Sequence, residues 1–189
     1  MLTDKAKEIV AEAKSKMADA LKFLEEDLKT YRVGKANPSI LNNVTVDYYG
    51  TQTPIPQVAS VTTPDAKTIA IQPWEKSMLQ PIEKAILVAN LGFTPMNNGE
   101  IIRCPIPPLT EERRKELIKK AKAAGENGKI VIRNARRDAV DALKKAEKAG
   151  LFSEDVQGEG EDEVQKLTDE KVKEVDTLIS AKEKEIMTV

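Results

Sequence analysis

Apolar residues recur at helical spacing at both ends of this chain and at strand spacing between them. Val10, Met17, Leu24 and Tyr31 return every seven residues, with Ala6, Ala13, Ala20, Leu21 and Leu28 in the adjoining positions. This seam predicts a bundle-forming helix over 3–30, capped by Thr3 or Asp4, with Met17 serving the core. It stops at RVGKANPSIL, where Gly34 and Pro38 break the pattern. From Leu109 to Gly150, Ile118, Ala121, Ile132, Ala135, Ala139, Leu143 and Ala146 recur at steps of three, four or their sums, behind the block set by Pro107 and Pro108. One long helix is expected. Gly125 and Gly128 fall on its core side, where a missing side chain permits close helix contact and where any bend belongs. A helix of roughly 40 residues would run ~60 Å, which implies an elongated molecule.

Gly150 closes that helix, and LFSEDVQGEGEDE reads as a turn followed by an acidic loop. A last helix is expected from about Glu161 to Ile186, with Val164, Leu167, Val172, Val175, Leu178, Ile179 and Ile186 on its apolar side. Between the first two helices the pattern changes. VTVDYYG (44–50), ASVTT (59–63), TIAIQ (68–72) and IIRC (101–104) are short, β-branched runs separated by turn formers, and they predict strands. MLQPIEKAILVANLG (78–92) predicts a helix with Pro81 in its first turn and Gly92 at its end. Trp74 and Phe93 are expected to help fill this small core; an exposed, base-stacking Trp74 is the alternative. The organisation is thus a discontinuous three-helix bundle, 1–30 with 106–189, carrying an inserted α/β domain at 31–105. The fold class is α+β. Two connections, Thr30, Tyr31, Arg32, Val33 and Gly34 on one side and Cys104, Pro105, Ile106 and Pro107 on the other, are expected to form a two-segment hinge that bends more readily than it twists.

Charge sharpens this picture. The net charge is −1, yet residues 106–150 hold thirteen Lys or Arg against seven acids, and 151–189 hold five against twelve. Five of the seven arginines, Arg113, Arg114, Arg133, Arg136 and Arg137, lie in the long helix. At ~100° per residue, Arg133, Arg136 and Arg137 share one side with Lys122, Lys129 and Lys144. A basic ridge of this kind suits a polyanion, and arginine's planar fork suits phosphate oxygens. Pairing of basic with acidic helices inside a scaffold protein is the competing explanation.

Catalytic chemistry finds little support. The chain has no His and one Cys, which removes the commonest general base and any multi-cysteine metal site, and no internal disulfide is possible. Gly34–Lys35 and Gly128–Lys129 lack the rest of a phosphate-binding loop, and the acidic segment lacks calcium-loop spacing. No catalytic residue, metal or cofactor is expected. The opening MLTDKAKEIV contains no apolar run, so neither a leader nor a membrane segment is expected, and the protein is read as soluble and cytoplasmic.

Five stretches, in order, carry a resemblance: YRVGKANPS (31–39), VDYYGTQTPIPQVASV (46–61), PPLTEERRKEL (107–117), IRNARRDA (132–139) and VQKLTDE (164–170). Together they resemble the bacterial and organellar ribosome recycling factor family across essentially the whole chain. The resemblance implies a three-helix bundle with an inserted α/β domain in a tRNA-like L shape. It also implies a factor, not an enzyme, that binds the post-termination ribosome and, with elongation factor G and its GTP hydrolysis, separates the subunits. Arg133 is the residue it favours most for large-subunit ribosomal RNA, with Arg136 and Arg137 beside it, then Lys129, Lys122 and the hinge residue Arg32. Arg113 and Arg114 are weaker candidates. The expected partners are the large ribosomal subunit and elongation factor G, with no membrane, and the chain is expected to be a monomer.

Overall fold

The computed structural model describes residues 1–31 and 33–188. Contacts divide the chain into two compact units, one of Met1–Tyr31 with Glu111–Thr188 and one of residues 33–110.

The first unit is a three-helix bundle of α1 (Asp4–Lys29), α3 (Glu111–Lys148) and α4 (Glu154–Thr188). Thr3 caps α1, its Oγ1 accepting from the Ala6 N–H, a contact of a kind typically worth ~1 kcal/mol. Val10, Met17, Leu24 and Tyr31 are all buried, so the sevenfold seam is the face that packs against α3 and α4. On α3 the buried stripe holds Leu117, Ala121, Gly125, Ile132, Ala135, Ala139, Leu143 and Ala146. Leu117 takes the place expected for Ile118, which is only half buried. Most of these side chains are small, and small residues let helix backbones approach closely.

α4 starts earlier than its sequence suggests. The segment expected to be an acidic loop is its first two turns, beginning at Glu154, with the Gln157 N–H already bonded to the Ser153 carbonyl at 3.1 Å. Glu154 and Asp155 sit where the helix dipole favours negative charge. Gly160 explains the tolerated glycine: a β-carbon there would stand 3.0 Å from Leu143 Cδ2, so close packing on a fully buried leucine outweighs the glycine's low helix propensity. Val164, Val175 and Ile186 are buried, while Leu167, Val172, Leu178 and Ile179 are half buried.

The second unit pairs a four-stranded antiparallel sheet, in order β3-β4-β6-β5, with a two-stranded hairpin β1-β2 and one helix. The strands are β1 (Thr45–Tyr48), β2 (Thr51–Pro54), β3 (Ala59–Asp65), β4 (Thr68–Pro73), β5 (Met96–Asn97) and β6 (Ile102–Pro105), with α2 at Leu79–Ala89. Ile69, Ile71, Ile82, Ile86, Ile102 and Cys104 form the dry centre of its core. Burial pushes the Cys104 thiol up to about 11, as expected for a small hydrophobe with no use for its ionised form. Two strands, β2 and β5, lie outside the sequence expectation. The β1-β2 turn is Tyr49–Gly50, both at positive φ (+50° and +82°), the backbone a two-residue hairpin needs. Tyr49 is held there by its hydroxyl, which donates to Glu75 Oε2 at 3.1 Å, while the Tyr48 hydroxyl donates to Oε1 of the same carboxylate at 2.8 Å. α2 ends one turn before Gly92, because Asn90 takes the left-handed cap position at φ +49°.

Phe93 packs against this core, but Trp74 does not fill it: the indole is 69% exposed. The chain also enters and leaves the unit at one place. The Ala36 N–H donates to the Ala66 carbonyl at 2.9 Å and the Ile106 N–H to the Lys67 carbonyl at 2.7 Å, both on the β3-β4 turn.

Candidate nucleic-acid interface

α3 carries the candidate interface. Pro107 and Pro108 exclude regular structure before it, no proline follows within it, and its ends suit the dipole, with Glu111 and Glu112 in the first turn and Lys145 and Lys148 in the last. Because α1 and α4 cover two of its sides, the third faces solvent.

The basic ridge is not uniform across that third side. Arg133 is exposed and makes no hydrogen bond or ion pair among the described residues. Arg137, one turn on, is exposed and donates from Nη2 to Asn134 Oδ1 at 3.1 Å, a neutral partner that leaves its charge in place. Arg136 is half buried and donates to Gln165 Oε1 on α4 at 3.0 Å. The two lysines grouped with them turn toward α4 instead. Lys129 Nζ lies 2.6 Å from Asp176 Oδ1 and 3.4 Å from Glu126 Oε1, and its hydrogen bond to Asp176 leads the interactions that raise its pKa. Lys122 Nζ lies 3.4 Å from Glu183 Oε1. Among the exposed cations of α3 without an acidic partner, Arg133, Arg137, Lys144 and Lys148 fall in one row along the helix.

The remaining expected residues are placed as follows. Arg114 Nη1 donates to the Ile186 and Met187 carbonyls at 3.2 and 2.7 Å, capping the C-terminal turn of α4. Arg113 pairs with Glu116 at 2.9 Å. Arg114 thus ties α3 to α4, whereas the Arg113 pair lies within α3. Arg32 lies outside the described residues. Thr30 and Tyr31 continue the last turn of α1, and the Tyr31 ring lies under Lys120 Nζ, 4.5 Å from its centroid. Val33 is buried and Gly34 has φ +78°. Cys104 and Pro105 belong to β6, opposite Ile69 and Thr68, and with Ile106 bonded to Lys67 they are part of the sheet unit. Of that expected hinge segment only Pro107 lies beyond these bonds, followed by residues 108–110.

Spacing arguments missed three exposed apolar residues, of which Ile130 precedes Arg133 by one turn while Phe23 and Val131 line the α1 side of α3. Phe23, Ile130 and Val131 are large, apolar and 50–74% exposed. Phe23 falls between the seam positions of α1, and its isolation there was the available signal. Among the described residues no cluster of three or more His, Cys, Asp or Glu side chains could hold a metal, and no helix is long and apolar enough to cross a membrane.

Comparison with known proteins agrees with the fold. Residues 24–187 match the family described as Ribosome recycling factor. The chain is 52% identical to the ribosome-recycling factor of Porphyromonas gingivalis over 183 residues, covering 97% of this chain and 98% of that one. It is 54% identical to that of Parabacteroides distasonis over the same shares. A solution structure of a ribosome recycling factor superimposes with a TM-score of 0.72 at 34% identity and covers all of both chains. A second structure, with a TM-score of 0.59 at 44% identity, covers 96% of this chain and 98% of its own. It belongs to models for the T. thermophilus ribosome recycling factor and the E. coli elongation factor G bound to the E. coli post-termination complex.

Proposed function

This chain belongs to the ribosome recycling factor family, and on that premise we propose how its parts share the work. It is a ribosome-binding factor of translation that acts on the post-termination complex together with elongation factor G. The α3 row anchors the bundle on large-subunit ribosomal RNA, and Arg133 is the principal contact. The observation that carries this reading is that Arg133 stands exposed and unpaired on a long helix while Lys122 and Lys129 nearby are matched by acids of α4. A scaffold built on helix pairing would engage Arg133 in the same way. Arginine's fork on a rigid helix offers two parallel donors to a phosphate, and each phosphate neutralised releases counterions.

Subunit separation is the work of the pair of factors, with GTP hydrolysis supplied by elongation factor G and no covalent chemistry by this chain. Bending occurs at residues 33–35 and 107–110, outside the bonds that hold Ala36 and Ile106 to the β3-β4 turn. The chain acts as a monomer.

Co-sedimentation with purified large subunits across a salt series tests the anchor. Wild-type binding should weaken as salt rises, and Arg133→Ala should bind more weakly with a salt slope reduced by about one. Equal binding by wild type and variant would overturn the assignment.

A further inference from the structure

β3 is an edge strand: the sheet order β3-β4-β6-β5 leaves it with one neighbour among the described residues. The register decides which of its backbone groups that neighbour uses. Ser60 stands opposite Gln72 and Ala59 opposite Pro73, and the Trp74 N–H donates to the Val58 carbonyl at 3.2 Å. Hydrogen-bonded pairs alternate along an antiparallel ladder, so the Val58 carbonyl, Ser60 and Thr62 face β4, whereas Ala59 and Val61 turn their backbone groups away from it. Pro73, which has no N–H to give, accordingly stands opposite Ala59. The outward N–H and C=O groups of Ala59 and Val61 have no partner among the described residues.

A groove of about 520 Å³ lies against this stretch. It is lined by Ala59, Ser60 and Val61 of β3, by Pro38 and Asn42 at either end of the helical turn Pro38–Leu41, and by the mostly exposed Trp74. None of the lining residues is charged. Edge strands are usually protected by charged side chains, bulges or proline. Here Pro64 and the bulge between Thr62 and Asp65 protect only the far end of β3, and residues 59–61 are left open.

The chemistry of the groove selects its occupant. Donors and acceptors repeated two residues apart along one edge are matched by another extended backbone. A nucleic acid needs cations for its phosphates, and the groove lining supplies none. A charged segment would bury its charge against uncharged walls. An uncharged strand that directs an apolar side chain at the indole meets both requirements.

We propose that the free edge of β3 is a docking strand: a short, extended, uncharged segment of a protein partner adds to it beside Ala59 and Val61, with its side chains on Trp74 and Pro38. This site is independent of the arginine row on α3.

Titration of the full chain with a blocked TIAIQ peptide, the sequence that β4 presents to the other edge of β3, tests it. Trp74, the single tryptophan, reports occupancy of the groove, and amide exchange followed by NMR reports the edge. The peptide should shift the emission to the blue and slow exchange at the Ala59 and Val61 amides, while the Ser60 and Thr62 amides, already bonded to β4, stay as they are. The same peptide with every backbone amide N-methylated should bind roughly tenfold more weakly, since at least two backbone hydrogen bonds are lost. Ser60→Lys, an edge charge of the kind that protects other sheets, should weaken the unmodified peptide by a similar factor with circular dichroism unchanged. Equal binding of the N-methylated peptide overturns strand addition. No response to TIAIQ overturns the docking site. A blue shift produced by a uridine oligonucleotide and not by the peptide assigns Trp74 to RNA and overturns the protein partner. One that grows with the concentration of the chain alone assigns the edge to a second copy and overturns it as well.

Discussion

Gly125 of α3 lies so close to Ile179 of α4 that a β-carbon on it would stand 2.7 Å from Ile179 Cγ1. Gly128, one turn on, has its nearest such neighbour at 3.6 Å. Both are helical glycines that cost ~1 kcal/mol relative to alanine, so their substitutions should have opposite signs. Gly125→Ala forces a β-branched side chain off its rotamer or the helices apart, and its expected net effect is a loss of roughly 1 kcal/mol. Gly128→Ala should gain up to ~1 kcal/mol. Urea unfolding midpoints of the two variants check this directly.

Lys129 should separate stability from RNA binding. Its ammonium is taken up by Asp176 and Glu126, so Lys129→Ala is expected to cost no more than ~1 kcal/mol of stability and to leave the salt slope for large-subunit binding at the wild-type value. The salt series that tests Arg133 measures the slope, and urea unfolding measures the stability. A slope changed as much by Lys129→Ala as by Arg133→Ala would place the lysine on the RNA.

Tyr31 supplies a pH dependence. Burial first, then the Asp27 carboxylate and its hydrogen bond, push the phenol from 10.0 up to about 12. In the folded protein the neutral form is favoured, so between pH 10 and about 12 the unfolded chain holds fewer protons and stability falls as pH rises. Below that window this group contributes no slope. Tyr31→Phe should therefore reduce the alkaline fall in unfolding free energy while leaving the pH dependence near neutrality as it is in wild type.

Trp74 offers a spectroscopic check. It is the single tryptophan and is mostly exposed, so native fluorescence should be red-shifted and quenched by small solutes almost as readily as after unfolding. A blue-shifted, protected emission would contradict its placement outside the core.

The helices were legible because their packing faces are regular: Val10, Met17, Leu24 and Tyr31 needed only the sevenfold repeat. β2 was not, because TQTP presents no alternation of apolar residues and is recognised only through its pairing with β1. The start of α4 was hidden for a related reason, since Gly160 looks like a breaker until Leu143 is found against it. The same limit applies at the interface. A helical wheel groups Lys122 and Lys129 with Arg133 correctly by angle, but only the position of α4 reveals that the lysines meet Asp176 and Glu183.

The order of the elements also bears on how the protein is made. α1 is synthesised first, yet its partners α3 and α4 follow only after the whole sheet unit has emerged. At ~5–20 residues per second, that interval lasts several seconds. During it the sheet unit has all of its strands and can close on its own, whereas α1 carries a bare seam of Val10, Met17, Leu21 and Leu24 through the nascent state. That seam is the stretch of this chain most in need of a chaperone, and variants that lengthen the wait should aggregate through α1 before they lose any contact in the finished bundle.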